Sequence, residues 1–533
     1  MMHSMLNKSV LKSALLMALA LVSAHAWAEQ KKTESKPAAP AHNAAPAQHA
    51  AAPTQHSNTQ THTTTPSNNN HNSTMGNHTN STMGNHTNST TGNHTNSNMG
   101  NHTNSNMGNH ANTPGAHGAG GHNGPNNNMA HGNAHTPAGV HEKTLRGGGT
   151  ASIRRDGSVR SVNRNGMQIQ RGFHGGRTVV STRNGARVVT VGRGGYVQRA
   201  YVVRGGRSYY SRTYYYHGAY RVGVYRGYYY GGRPYYGYYP SYYYGPAYYG
   251  WAYNPWPAPV YYGWGWGGAP WYGYYGPYYA PYPVYPSAAF WITDYMISAS
   301  LQAAYAANAA ANANLLPLTP DGTLVASLLP LAAEPAKAAL SKEVKDQLAE
   351  EVKLTIAAEQ AEASKPKSAS SGGGQPATSN EAPPALDPKF KLFVVSSDMS
   401  LVADGEECPL SQGDIISRTT ETPDGDGNVN VKVVASTKGD CAIGKEGPVS
   451  TDDLQEMYNQ FRDQLKDGMG ELAKKNGSGG LPKSPDTATT DGDVPAPPPD
   501  KSVEKTLAEQ QTAADQAETD AKQEAGSGGG GAQ

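Results

Sequence analysis

Residues 159–171 read VRSVNRNGMQIQR, and this stretch decides how the first folded region of the chain is built. Apolar and polar side chains alternate in residues 159–162 and again in residues 167–170, which is the period of a β-strand. Asn165 and Gly166 stand between the two runs, and an Asn-Gly pair supplies the positive φ angles of a tight hairpin turn. The stretch therefore predicts two antiparallel strands joined by a short turn.

The same pattern continues on both sides of this stretch. Alternation returns in residues 151–154 and 187–191, and Asx-Gly pairs stand at residues 156–157 and 184–185. We therefore expect an antiparallel β-meander over residues 145–208, with Val, Ile and Met on one face and mostly Arg on the other. Arginine on an exposed strand face has two interpretations, which are plain solvation of that face or an anion-binding surface.

Charge is divided unevenly along the chain, although the formal net charge is only +2. Residues 143–291 contain seventeen Arg and one Lys against a single Asp, whereas the chain from residue 293 onward has 37 acidic residues against twenty basic ones. No Asp or Glu occurs between Gly157 and Thr293. A region whose charges are almost all positive favours the anion-binding interpretation. It attracts acidic partners, and the acidic tail of the same chain is one of them.

Residues 1–28 have the features of a secretory signal peptide. Lys8 and Lys12 precede a short apolar run at residues 13–24, and the sequence AWA at residues 26–28 matches a cleavage site of the A-x-A type. No later segment offers eighteen consecutive apolar residues, so we expect no transmembrane helix after cleavage. The mature chain is therefore expected to be exported, to a periplasmic, cell-surface or extracellular location.

Composition argues against one globular fold for the whole chain. With 62 Gly, 37 Pro, only 5 Phe and 16% charged residues, most of the 533 residues cannot bury enough apolar surface to offset their chain entropy. We therefore expect a largely disordered, low-complexity chain that contains α+β islands.

Residues 29–144 form an Asn-, His- and Thr-rich region in which the octapeptide NHTNSTMG recurs with small changes. The region has no hydrophobic periodicity, so we expect it to be disordered. Neutral imidazole is a ligand for Zn, Ni or Cu, but ligands eight residues apart on a flexible chain are not preorganised. The repeats are therefore either a polar spacer or a weak metal-binding tract. The histidines at the recurrent positions are His78, His86, His94, His102 and His110.

Residues 209–286 are rich in Tyr, Trp, Gly and Pro, and 33 of the 34 Tyr lie between Tyr196 and Tyr305. Frequent Gly and Pro oppose helices and interrupt regular strands, so we expect an extended or looped segment. Contacts of aromatic rings with each other and with Arg favour self-association, sugar stacking or adhesion. The predicted anion and aromatic surface consists of Arg204, Arg207, Arg212, Arg221, Arg226, Arg233, Tyr262, Trp264 and Trp266.

Residues 287–363 are predicted to be helical. An Ala-rich helix opens the region, and apolar residues at intervals of four from Val344 to Ile356 mark a second helix that begins at Ser341. That apolar stripe packs either on the first helix or on another chain in a short coiled coil. Asp294 ends the acid-free tract, and we expect it to form a salt bridge, because a general acid or base needs a second group and none is evident.

A linker rich in Ser, Gly and Pro at residues 364–388 leads to a compact β unit with a final helix at residues 389–475. Cys408 and Cys441 are the only cysteines, and in an exported chain they imply a disulfide. No histidine follows His217, so neither cysteine nor any serine of this unit has an imidazole base within it.

Two motifs carry a resemblance to known proteins. Residues 410–416, LSQGDII, resemble the diverging turn of a small SH3-like barrel, which implies that fold for residues 389–475 and leaves the ligand open. The sequence YYGWGW at residues 261–266, followed by FWITDY at residues 290–295, resembles uncharacterised exported bacterial proteins with a Tyr/Trp/Gly-rich central segment and a C-terminal SH3-like barrel. The resemblance covers about residues 146–482 and implies an envelope or extracellular location without an established activity.

Residues 476–533 are polar and acidic, and we expect them to be disordered. Together these features predict an exported structural or adhesive protein of the cell envelope, not an enzyme. Its Arg/Tyr-rich region would associate with anionic envelope polysaccharide, peptidoglycan or lipid headgroups. Export argues against nucleic acid, although interleaved Arg and Tyr would suit a single strand. The alternative function is that of a His-rich periplasmic or extracellular metal-binding protein.

Overall fold

The computed structural model describes residues 136–313, except 193 and 217, together with residues 338–365 and 380–526. The chain divides into two units, Met1–Gly115 and Ala116–Gln533, and all described residues belong to the second. The expected signal peptide and nearly all of the repeat region lie outside the described residues.

A large antiparallel sheet of ten strands is the main element of the fold, which confirms the predicted α+β content. Each strand is hydrogen-bonded to the next in chain order, so the sheet is a simple meander. Within residues 159–171, Arg164 pairs with Met167 across a turn in which Asn165 and Gly166 have φ angles of 53° and 70°. The strands are β1 (Val140–Thr144), β2 (Thr150–Arg154), β3 (Val159–Arg164), β4 (Met167–Arg171), β5 (Arg177–Arg183), β6 (Ala186–Val191), β7 (Gly194–Arg204), β8 (Arg207–Tyr216), β9 (Ala219–Tyr230) and β10 (Arg233–Tyr239).

The sheet continues into the Tyr-rich segment, where sequence reasoning expected interrupted strands. Tyrosine has a high strand propensity, and the Gly-Gly pairs at residues 205–206 and 231–232 fall at turns rather than inside strands. All four of these glycines have positive φ. After β10 the segment forms a short strand, β11 (Tyr242–Tyr244), and two short helices, α1 (Pro246–Tyr253) and α2 (Pro270–Tyr275), which correct the expectation of a helix-free segment.

Two long helices follow, as the sequence predicts. They are α3 (Ala288–Ala313) and α4 (Lys342–Ala363), and the side chain of Ser341 caps α4 by accepting a hydrogen bond from the backbone N–H of Val344. The apolar stripe of α4 packs inside the chain, because Val352 and Ile356 share a core with aromatic residues and with α3.

Residues 380–450 contain six further strands. Four of them form a sheet in the order β12, β15, β16, β17, and the other two form a separate hairpin. The predicted disulfide is confirmed, since Cys408 in the hairpin is bonded to Cys441 in the loop before β17. The described part of the expected linker is ordered around a 3-10 turn, Pro384–Leu386, whose Ala385 and Leu386 are buried. The strands are β12 (Leu392–Val394), β13 (Met399–Ala403), β14 (Glu406–Leu410), β15 (Ile415–Arg418), β16 (Asn428–Ala435) and β17 (Glu446–Ser450).

The C-terminal region differs most from expectation. After α5 (Thr451–Lys475), the residues expected to be disordered form β18 (Thr489–Asp491), which pairs with β11, and α6 (Val503–Gly526). Helix α6 packs on one face of the large sheet through a stripe of small residues, and α5 packs on the opposite face. A stripe made mostly of alanine has low hydropathy. It is therefore hard to recognise as an apolar face in a segment whose composition is polar.

Within the described ranges, no helix is both long enough and apolar enough to cross a membrane.

Candidate anion-binding surface

Arginines on the strands of the large sheet are paired with carboxylates from the C-terminal part of the chain. On the face covered by α6, Arg171 donates two hydrogen bonds to Glu518, at 2.9 and 2.6 Å. Arg177 pairs with Asp515 one helical turn away, and Arg164 lies 3.4 Å from Asp520. The acidic tail predicted as a partner of the basic middle is therefore bound to it within the same chain.

The opposite face of the sheet is paired in the same way. Arg154 donates to both carboxylate oxygens of Glu407 on β14, at 3.0 and 2.8 Å, and Arg160 lies 3.3 Å from the same carboxylate. Arg187 lies 3.5 Å from Asp452 at the start of α5. The unit around β12 to β17 is thus joined to the sheet by charge as well as by packing.

The pair formed by Arg212 and Glu456 lies at the centre of this face. Arg212 is fully buried, with its guanidinium carbon 3.9 and 4.3 Å from the ring centroids of Tyr225 and Tyr196. Its two terminal nitrogens donate to the Glu456 carboxylate at 2.6 and 2.7 Å. Burial opposes the charged form of Glu456, but the positive charges of Arg212 and Arg187 outweigh it and hold the pKa of this carboxyl below its ordinary value.

Several residues of the predicted surface are therefore unavailable to an external anion. Besides the buried Arg212, Arg221 lies 2.8 Å from Asp463 and 3.0 Å from Asp467 on α5, and Arg226 pairs with Glu381. Arg233 lies close to Gly427 in the loop before β16. The prediction was wrong for Arg212 as a surface residue, because strand alternation does not reveal which face a helix will cover.

A different set of arginines has guanidinium groups without a carboxylate partner among the residues that the structure describes, although the backbone N–H of Arg146 donates a hydrogen bond to the Glu524 carboxylate. Four of them stand at hairpin turns on one end of the sheet, because antiparallel strands bring every second turn to the same end, and Arg155 stands in the turn between β2 and β3 at the opposite end. Arg207 and Arg146 are exposed and Arg183 is half-buried, while Arg204 donates to the backbone carbonyl of Asp493. We call Arg146, Arg183, Arg204 and Arg207 the arginine rim.

Spacing along the arginine rim follows from the geometry of the sheet. Neighbouring strands lie about 4.8 Å apart, so turns that are two strands apart, such as those at Arg183 and Arg204, recur about every 10 Å. The Arg146 turn lies two such steps from the Arg183 turn. The positive charges therefore form a row along the sheet rather than a pocket.

The predicted aromatic surface is largely part of the core. Trp264 stacks between Trp266 and Trp291, with ring centroids 4.4 and 4.6 Å away, and its Nε1 donates to the hydroxyl of Tyr285 at 2.6 Å. Tyr262 packs edge-on against both Trp264 and Trp291. These rings are half-buried or buried, so their contacts are used mainly for folding. The fully buried tyrosines are Tyr225, Tyr248, Tyr249, Tyr275, Tyr278, Tyr279 and Tyr285.

Asp294 forms the salt bridge that was expected, but its partner is a lysine. One carboxylate oxygen lies 3.0 Å from Nζ of Lys345, and the other accepts hydrogen bonds from the hydroxyl of Tyr285 at 2.7 Å and the backbone N–H of Tyr282 at 2.6 Å. Burial lowers the pKa of Lys345 even though Asp294 acts in the opposite direction. All these groups lie in the interior, where they join the aromatic segment to α3 and α4.

The histidines predicted to bind metal, from His78 to His110, lie outside the described residues. Among the residues that are described, no group of three or more His, Cys, Asp or Glu is arranged to hold a metal ion. The metal-binding hypothesis therefore stays a prediction from the sequence.

Sequence reasoning missed the acidic partners of the sheet. Glu456, Asp463 and Asp467 on α5 recur at intervals of seven and four residues, and Asp515 and Glu518 on α6 at an interval of three. Such intervals place carboxylates on one side of a helix, so the pattern was available in the sequence. The carboxylates of α6 belong to the segment predicted to be disordered, and the final helix predicted at α5 was assigned no partner on the sheet.

Comparisons of this chain with protein-family models, with curated proteins and with solved structures find no match.

Proposed function

We propose that this chain is an exported, non-enzymatic structural protein that associates with an anionic polymer of the cell envelope through the arginine rim. One observation carries the proposal. The guanidinium groups of ten arginines between Arg154 and Arg226 have carboxylate partners within the described part of the chain, whereas those of the rim arginines do not. A fold that neutralises its sheet but leaves a row of turns positive is suited to binding anions along that row.

The row of positive charges on the arginine rim is better suited to binding an extended polymer than a small anion. Each exposed ion pair contributes only about 0–1 kcal/mol, so one contact gives little affinity. A polyanion that contacts several turns at once gains from multivalency, because each later contact is intramolecular. Acidic envelope polysaccharide has this repeated charge, and it is the ligand to which we assign the rim.

Two further features support this assignment. A signal-peptide pattern at residues 1–28 and the disulfide between Cys408 and Cys441 are both compatible with export. For residues 389–475 we propose the SH3-like barrel that the sequence resemblance implies. Its support is the strand order together with Asp414, which accepts hydrogen bonds from the backbone N–H groups of Ser411 and Thr437 at 2.8 and 2.6 Å.

The test is binding of the full chain to polygalacturonate, a linear polymer of uronic acid, with neutral dextran as the control polymer. We expect the triple variant R183Q/R204Q/R207Q to bind roughly ten- to a hundredfold more weakly at low salt, which corresponds to three contacts of about 0.5–1 kcal/mol each. Binding by the wild-type chain should also fall steeply as salt is raised to about 0.5 M.

The matched control is Arg199→Gln, because Arg199 is an arginine of the same sheet that is exposed and already paired with Asp500. This variant should bind the polymer within about twofold of wild type, since its charge is already neutralised. Equal binding by the triple variant and wild type, or equal binding to dextran, would refute the proposal.

A further inference from the structure

Helix α6 (Val503–Gly526) covers the sheet with unusually small side chains. Leu507 and Val503 are its only buried apolar residues larger than alanine, and the other buried apolar positions are alanines. Because the hydrophobic contribution scales with the apolar area removed from water, this interface is held only weakly by burial. The buried residues of α6 are Val503, Leu507, Gln510, Ala514, Ala517, Glu518 and Ala521.

Polar contacts determine where α6 docks. The side-chain amide of Gln510 donates to the backbone carbonyls of Val179 and Val188 at 2.9 and 3.2 Å and accepts from the Ser181 hydroxyl at 2.5 Å. Together with the ion pairs to Arg164, Arg171 and Arg177, these contacts fix the position of the acidic helix α6 on the sheet. Partly exposed ion pairs contribute little each, so the helix is specifically placed but not strongly held.

The connection to α6 permits the helix to leave its own sheet. Residues 476–502 contain six prolines, which cannot donate backbone hydrogen bonds, and span up to about 90 Å when extended. Besides the short β18 pairing, two buried apolar residues hold the connection, Leu481 in the aromatic core and Val494 against Tyr209 and Val224, and its polar contacts with the sheet include those of Asp493 with Arg204 and of Asp500 with Arg199.

We propose that the sheet face beneath α6 also binds the α6 of a second copy of this chain, so that two chains exchange their C-terminal helices. The second copy presents the same acidic row and the same alanine stripe, so charge and shape complementarity are retained in full. Exchange of an identical element between chains is a low-cost route to a dimer. The tethered helix has an effective concentration of about millimolar, so the wild-type chain is mainly monomeric when dilute.

Charge reversal separates docking within one chain from docking between chains. The sheet variant R171E/R177E places two carboxylates opposite Asp515 and Glu518, and the helix variant D515R/E518R places two guanidinium groups opposite Arg171 and Arg177. Neither variant can dock its own α6 favourably, because like charges face each other. When the two are mixed, each helix finds a sheet of opposite charge on the other chain.

The readout is molar mass by light scattering of each full-length variant alone and of the equimolar mixture. We expect the mixture to have close to twice the mass of either variant alone. The matched control carries all four substitutions in one chain, which restores opposite charges in cis and should remain monomeric. A mixture that stays monomeric while circular dichroism shows both variants folded would overturn the proposal.

A second measurement covers the case in which the sheet variant does not fold. A labelled synthetic peptide of residues 503–526 is titrated into the full-length helix variant D515R/E518R, whose own sheet is unchanged and whose own helix docks poorly. We expect binding that is about five- to thirtyfold tighter than that of a control peptide with Asp515→Asn and Glu518→Gln, as two lost ion pairs of about 0.5–1 kcal/mol each imply. Equal binding of the two peptides, or no binding of either, would refute the inference.

Discussion

Arg212 on β8 and Glu456 on α5 form a two-point ion pair, with nitrogen to oxygen distances of 2.6 and 2.7 Å. The guanidinium is fully buried between two tyrosine rings, whereas the Glu456 side chain is 26% exposed. A buried guanidinium without its carboxylate would be left with an unpaired charge in the interior, which is far less favourable than the intact pair. This pair therefore fixes α5 on the sheet and explains why the basic and acidic parts of the chain fold together.

The first test is Glu456→Gln. We expect it to lower the free energy of unfolding by about 3 kcal/mol, because Arg212 loses its countercharge but stays buried. Chemical denaturation followed by tryptophan fluorescence measures the change. Arg207→Gln, a rim substitution with no carboxylate partner in the described part, should alter stability by less than about 0.5 kcal/mol. Equal effects of the two substitutions would contradict the assigned role of the pair.

Asn459 on α5 protects the free edge of the sheet. Its Oδ1 accepts from the backbone N–H of Tyr238, and its Nδ2 donates to the carbonyl of Tyr236, both at 2.8 Å. The side-chain amide thus occupies the place of a further strand beside β10. We expect Asn459→Leu to destabilise the protein by about 2 kcal/mol, because two buried backbone groups lose their partners.

An exposed edge also promotes pairing between chains, so the Asn459→Leu variant should aggregate faster on mild heating, as measured by light scattering. Gln460→Leu is the matched control, since Gln460 is the next residue and makes no hydrogen bond among the described contacts. If both variants aggregate at the same rate, the edge is protected by some other group.

Local signals were sufficient to predict the meander. They did not predict which distant residues pair with it. Asn165 and Gly166 set a turn through their own backbone preferences, and two cysteines in an exported chain have one possible pairing. The position of Arg212 depends instead on a helix that follows more than two hundred residues later. Nothing near Arg212 in sequence distinguishes it from Arg207, which is exposed, because burial depends on what the rest of the chain places over each strand.

Alanine and tyrosine explain the remaining differences between expectation and structure. The stripe that includes Ala514, Ala517 and Ala521 is too weakly apolar to stand out in an acidic segment, yet small residues let α6 approach the sheet closely. Tyrosines that looked adhesive are used for folding, because a ring such as that of Tyr285 can be buried once its hydroxyl has partners in Asp294 and Trp264.

The disulfide is expected to act as a cross-link of the β unit and of its contact with the sheet. Each cysteine follows an acidic residue that contacts the meander, since Glu407 pairs with Arg154 and Asp440 lies 2.7 Å from Nε2 of His174. We expect the variant C408S/C441S to lose roughly 3–4 kcal/mol of stability by the chain-entropy estimate for a separation of 33 residues. Thermal unfolding with and without reductant measures the loss.

Reductant supplies the control for this experiment. It should destabilise the wild-type chain to about the level of the double variant and leave the double variant unchanged. A wild-type chain whose unfolding temperature does not respond to complete reduction, verified by alkylation and mass spectrometry, would show that the cross-link adds no stability.

The histidine repeats give a prediction about metal that does not depend on the described residues. If the octapeptides are a spacer, titration of the full chain with zinc should show only weak binding without a defined stoichiometry, because histidines eight residues apart are not preorganised. Isothermal titration calorimetry measures this, with a variant in which His78, His86, His94, His102 and His110 are Ala as the control. Submicromolar affinity that the control variant loses would make metal binding the primary function.

Glu351 on α4 predicts a pH dependence of stability. Its side chain is buried and one carboxylate oxygen accepts the backbone N–H groups of Lys391 and Leu392, each at 3.0 Å. Burial raises the pKa of Glu351 to about 7, although these hydrogen bonds and the charge of Arg418 act in the opposite direction. The folded protein therefore holds a proton on this group at pH values where the unfolded chain, with an ordinary pKa of 4.5, has lost it.

The sign of the effect follows from proton linkage. A group whose pKa is raised on folding contributes stability that is fully present below pH 4.5 and is lost as the pH rises through about 7. Glu351→Gln keeps an oxygen acceptor but cannot ionise, so its stability should not fall over this interval. We expect the free energy of unfolding of the variant to rise by about 3 kcal/mol relative to that of wild type between about pH 4.5 and 8, since each pKa unit corresponds to 1.36 kcal/mol.

Denaturation curves at several pH values measure this difference. The control is Glu350→Gln, a substitution of the exposed neighbouring residue, which should follow the wild-type profile. Parallel profiles for wild type and Glu351→Gln would mean that Glu351 is already ionised in the folded protein and that its backbone hydrogen bonds outweigh its burial.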